Sequence, residues 1–143
     1  MSFDLTLNKG DIKIDKTGEV SLVSSNSKLR QDIIKILLTE TGDNKFHPDY
    51  GSQVGSLKIG STSDARLVES DLNTSANKAL RNLMSLQRAQ SRRQQLSPGE
   101  VIVQVLDVSV TRDELDPRMY NIFVSVLTQA LDEVKSNITV RLF

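Results

Sequence analysis

The chain has 143 residues, enough for one domain with a modest core, and 1–143 reads as a single unit. Its 18 Lys and Arg balance 18 Asp and Glu, so no global field draws it to nucleic acid or to an anionic membrane. With no cysteine and one histidine, disulfides, thiol catalysis and cysteine- or multi-histidine-ligated zinc are excluded.

No apolar run reaches the roughly 18 residues of a membrane span, and the N-terminal stretch lacks a signal-peptide core. Tryptophan is absent and aromatics are few, which disfavours stacking on single-stranded nucleic acid. Phe3, Leu5 and Leu7 alternate with polar residues as in a short strand. Ile12 and Ile14, then Val20 and Leu22, alternate again around Asp15-Lys16-Thr17-Gly18. That spacing predicts a β-hairpin with Gly18 in the left-handed position of its turn. Ser24 to Ser27 supplies N-cap oxygens for a helix over about Lys28–Thr39, with Leu29, Ile33, Ile36 and Leu37 on one face.

A shaped loop follows. Gly42 ends the helix, Pro48 holds His47 extended, and Gly51 can take backbone angles closed to other residues. Between them Tyr50 offers a ring that packs and a hydroxyl that needs a partner. Val54, Leu57 and Ile59 sit among glycines and serines and suggest a short helical turn or an irregular segment. Thr62-Ser63-Asp64 then caps a long helix with Leu67, Val68, Leu72, Ala76, Ala79, Leu80 and Leu83 at helical spacing. The pattern fails after Leu86, and the helix either frays there or runs on exposed. Arg88, Arg92 and Arg93 make this end a positive patch, either a solvated helix end or a dock for a partner's carboxylates.

Ser97-Pro98-Gly99 breaks the helix. Val101, Val103 and Val105 alternate as a strand, and the apolar parity switches at Leu106, Val108 and Val110, which predicts a β-bulge near Val105-Leu106. Asp113–Pro117 is a turn. Met119–Ala130 is a strand apolar on both parities, hence central or covered on both faces. Leu131–Val134 turns the chain into a last strand with Ile138, Val140 and Leu142 facing the core and Thr139 and Arg141 facing away. The expected fold is α+β: two main helices packed on an antiparallel sheet of the C-terminal strands, with an N-terminal β-hairpin.

Leu38-Thr39, Gly42 and Pro48-Asp49-Tyr50-Gly51 together resemble the signature of a baseplate wedge protein of contractile phage tails. That family initiates the tail sheath, and the small baseplate subunit of type VI secretion systems is similar to it. The resemblance implies a structural protein of the virion's tail baseplate, made in the host cytoplasm and present in several copies around a six-fold tail. Its implied partners are the helical core bundle of the baseplate wedge and the tail sheath protein, with no cofactor. Pro48, Tyr50 and Gly51 would belong to the wedge dock. A strand of Ile138, Thr139, Val140 and Arg141, with no later strand to pair with it, would offer the edge to which sheath subunits add.

The family's Glu-Pro-Arg tripeptide is missing. The junction reads Leu96-Ser97-Pro98-Gly99-Glu100, and Asp116-Pro117-Arg118 falls between two strands instead. Glu100 paired with Arg92 or Arg93 is the expected replacement. The family also carries a lysozyme-like label. Glycoside hydrolysis needs two carboxyl groups flanking the scissile bond, and Glu40, Asp43 and Asp49 are the acids near the loop, without a sugar-stacking platform. Gly51-Ser52-Gln53-Val54-Gly55 lacks the lysine and preceding strand of a phosphate-binding loop. A non-enzymatic role is therefore expected; the alternatives are a peptidoglycan-cleaving enzyme and a cytosolic adaptor on the same fold.

Overall fold

Alternating apolar residues at the N-terminus do form strands, but outside the inner rungs of the expected hairpin they pair differently. In the computed structural model, which describes residues 2–54 and 65–141, β1 (Phe3–Leu5) and β2 (Leu7–Asn8) are followed by β3 (Asp11–Ile12) and β4 (Leu22–Ser24). β1 pairs antiparallel with β4, and β2 with β3 across a turn at Lys9-Gly10. The inner rungs of the predicted hairpin are present: Ile14 lies opposite Val20, the Asp15 and Ser21 amides donate to Glu19 and Lys13, and Gly18 (φ +83°) closes the turn by donating to the Asp15 carbonyl. Thr6 joins the pieces, donating to Ser21 and accepting from Lys13. Leu22 pairs with Leu5 because β1 lies alongside the hairpin's returning limb.

Helix α1 (Ser25–Leu38) starts three residues earlier than expected, with Ser24 as N-cap, and ends on Thr39, whose amide donates to Lys35. Its apolar face, Leu29, Ile33, Ile36 and Leu37, is fully buried. Helix α2 (Ala65–Ser91) is the long helix; the caps expected at Thr62-Ser63-Asp64, and Leu57 and Ile59, lie outside the described residues. It does not fray after Leu86 but continues to Ser91. A single 3-10 turn over Pro98–Glu100 leads into β5 (Ile102–Arg112), β6 (Met119–Thr128) and β7 (Glu133–Arg141).

These three strands form one antiparallel sheet in the order β5-β6-β7. The register slips between Ile102 and Gln104 and again between Val105 and Asp107. The second slip sets Leu106 outside the ladder at the parity switch read from the sequence. β6 is the central strand, as its two-sided apolar pattern requires. The chain turns at 129–132, so β7 begins at Glu133 and includes Val134, which the sequence reading had placed in the turn. Leu142 lies outside the described residues. Tyr120, Ile122, Val124 and Val126 of β6 and Val134 and Ile138 of β7 join the apolar faces of both helices in one buried cluster. The fold is mixed α+β.

Candidate functional site

The loop after α1 is held by its own backbone. Gly51 has φ +123°, and a Cβ there would sit 2.6 Å from the Thr39 carbonyl oxygen and 2.9 Å from the Glu40 carbonyl carbon. Glycine is needed twice over, for the angle and for the approach. The contact lets Ser52 pair with Glu40 in a parallel bridge: the Ser52 amide donates to Thr39 O (2.8 Å) and the Thr41 amide to Ser52 O (3.1 Å). The buried Ser52 hydroxyl donates to Leu37 O at 2.6 Å. Inside the loop the Asn44 side chain accepts the amides of Phe46 and His47, and the Asn82 side chain of α2 donates to the Asp49 carbonyl. Pro48 itself is exposed.

Tyr50 packs against the core from the loop side. It lines a cleft of about 350 Å³ between β1, α1 and α2, beside Asp4, Lys28, Asp32 and Lys35. Lys28 pairs with Asp32 at 2.7 Å and Lys35 with Asp4 at 2.6 Å. Burial, with the Asp32 and Asp4 charges adding to it, pushes the Tyr50 phenol from 10.0 up to about 12. Burial alone raises the Asp4 carboxyl, but hydrogen bonds from Lys35 and the Leu5 amide outweigh it, and the group titrates below its ordinary value.

The arginine-bearing end separates into two parts. Arg88 lies on α2, and Arg92 and Arg93 lie in the turn after it; all three are exposed. Glu100 is 1% exposed and does not pair with them, so the expected replacement for the missing tripeptide is not there. Burial separates the carboxylate from arginines that remain in water. Its Oε2 accepts the Ser97 hydroxyl (3.0 Å), while Oε1 has no partner among the described residues. What pins this junction is Gln87, which the sequence reading passed over. Its side chain donates to Glu100 O (2.7 Å) and accepts the Ile102 amide (2.9 Å), both buried. The signal was present: Gln87 falls four residues after Leu83 and seven after Leu80, on the buried face.

At the other end of the sheet the main chain of β7 has a definite orientation. The Thr128 amide donates to Asp132 O across the turn (2.9 Å). Bonded and non-bonded pairs alternate along an antiparallel ladder. Val126/Val134, Val124/Ser136, Ile122/Ile138 and Tyr120/Val140 are therefore the bonded pairs. The main-chain groups of Lys135, Asn137, Thr139 and Arg141 point away from β6. Arg30 of α1 confirms the parity by donating to Lys135 O at 3.0 Å. Beyond Lys135, no strand of the described residues covers this edge. Ile138 and Val140 turn toward the core, and Thr139 and Arg141 are exposed, as expected.

Glu40, Asp43 and Asp49 are all exposed. No group of three His, Asp or Glu among the described residues is placed to hold a metal ion, and no described helix is long and apolar enough to cross a membrane. The arrangement is thus a small mixed α+β domain with a braced loop, an exposed basic helix end and an open sheet edge. No family model and no curated protein matches the sequence. Among solved structures, the crystal structure of a candidate tail lysozyme from Geobacter sulfurreducens superposes with a TM-score of 0.64 at 15% identity. The match covers 86% of this chain and 96% of that one, so the two share a fold.

Proposed function

We propose that this chain is a structural component of a contractile tail baseplate, docking on the wedge core and initiating the sheath through the outer edge of β7. The observation that carries the reading is the row of outward main-chain groups at Asn137, Thr139 and Arg141. An extended arm from a sheath subunit can complete such a ladder, reading main chain rather than side chains. β7 suits the task better than β5, the other edge. It pairs with β6 over nine residues without a slip, whereas β5 carries two register shifts, and bulges twist an edge away from a partner. The Asn73 side chain of α2 also occupies the Val108 carbonyl of β5 (2.8 Å). The fold shared with a protein named as a tail lysozyme supports the tail part of this assignment.

On this reading the loop around Tyr50 and Gly51 and the arginines at 88, 92 and 93 face the wedge, and no catalysis is involved. The loop's acids are exposed, and among the described residues no sugar-stacking platform stands beside them. The test is sheath polymerisation on baseplates carrying Thr139→Pro, which removes an outward amide and spares the β6–β7 ladder. Baseplates with this variant should assemble and fail to nucleate sheath. Normal nucleation by a folded Thr139→Pro protein would move the sheath contact to another edge. Turbidity clearing of purified cell wall tests the enzymatic alternative, and activity lost in Glu40→Gln/Asp43→Asn would establish it.

A further inference from the structure

The N-terminal strands expose an unusual amount of apolar surface. Leu5 lies opposite Leu22, Leu7 opposite Ile12 and Ile14 opposite Val20. Directly opposed residues share a face, and the residues of the three pairs, rungs of two short sheets and an isolated bridge, are each 40% exposed or more. Apolar pairs of this kind on a surface mark an interaction site. Leu7 of these pairs also lines a groove of about 830 Å³ between the strands and α1, together with Ile34 and Leu38, the last 57% exposed.

Two features define the occupant. The charged residues lining the groove are Lys9, Arg30 and Lys35, all basic. Asp4 balances Lys35, but neither Lys9 nor Arg30 has an ion-pair partner among the described residues. The backbone edge beside the groove is already occupied. Gln31 of α1 donates to Leu5 O (2.8 Å) and accepts the Leu7 amide (2.9 Å), the two groups an added strand would need. The occupant must therefore bring its own backbone hydrogen bonds satisfied, which an α-helix does and a strand does not.

We infer that this groove and the apolar pairs bind an amphipathic helix of a partner protein, with leucine-type side chains inward and carboxylates toward Lys9 and Arg30. The apolar pairs belong to the N-terminal strands rather than to β7, and the inference does not depend on the tail assignment. The test uses two labelled helical peptides of ~18 residues, each with leucines on one face, one with glutamates and one with lysines on the other. Fluorescence anisotropy with the full chain should show saturable binding of the acidic peptide and at least about tenfold weaker binding of the basic one. Leu38→Ser and Lys9→Glu, both exposed positions, should each weaken the acidic peptide several-fold with the circular dichroism spectrum unchanged. Absent binding, equal binding of the two peptides, or indifference to both substitutions overturns the inference. So does a dimer in sedimentation that Leu38→Ser dissociates, since a second copy is then the occupant.

Discussion

Replacing Gly51 by alanine isolates the contact that braces the loop. An L-residue at φ +123° carries about 1–3 kcal/mol of strain. The added Cβ also lands 2.6 Å from Thr39 O and 2.9 Å from Glu40 C, both backbone atoms that cannot rotate aside. Relief requires opening the Glu40–Ser52 bridge, whose two hydrogen bonds contribute about 1 kcal/mol each. The sum is a loss of about 3–5 kcal/mol, on the order of 10 °C in Tm for a chain of this size. Gly42→Ala is the control: φ is +99°, but nothing lies within 4 Å of its Cβ, so only about 1–2 kcal/mol of backbone strain applies. Urea and thermal unfolding followed by circular dichroism measure both. If Gly51→Ala costs no more than Gly42→Ala, the close approach does not brace the loop.

Gln87→Leu strands the Glu100 carbonyl and the Ile102 amide in the interior and should cost about 2–3 kcal/mol in urea unfolding. Glu100→Gln keeps the side chain's shape and breaks no ion pair, so stability should stay close to wild type; clear destabilisation would restore an ion pair at this junction. Tyr50 binds its proton more tightly folded than unfolded, so its contribution is complete below pH 10 and is lost as pH rises toward about 12. Tyr50→Phe should flatten alkaline unfolding in that window. The Asp4 carboxyl has the opposite sign, contributing above its unfolded value and losing that contribution as pH falls through its lowered folded one, so Asp4→Asn should flatten the acid limb. Arg92→Glu/Arg93→Glu should leave folding unchanged and weaken wedge assembly most at low salt.

Local patterns carried much of the fold. The helix faces of α1 and α2, the central placement of β6 and the slip at Leu106 each follow from apolar spacing, because burial on one face leaves a period that can be read. Gly51 was legible as a special position, but its reason, the approach to Thr39 and Glu40, depends on where α1 ends in space. The hairpin turn at Gly18 was legible, but the pairing of β1 with β4 and of β2 with β3 was not: exposed apolar residues that cover no core leave register to long-range partners such as Gln31 and Ser21. Glu100 and Gln87 were misjudged for a related reason. Charge and polarity suggest solvent, whereas the 3-10 turn after Ser97 buries Glu100 and the inward face of α2 buries Gln87.

Amide hydrogen exchange along β7, resolved by residue in the isolated chain and in the chain assembled with sheathed tails, tests the proposed role most directly. Val134, Ser136, Ile138 and Val140, bonded to β6, should be protected in both states. Asn137, Thr139 and Arg141 should exchange rapidly in the isolated chain and slow by about a hundredfold or more in the tail, as a sheath strand takes their amides. Continued rapid exchange at all three in sheathed tails would contradict strand addition at this edge.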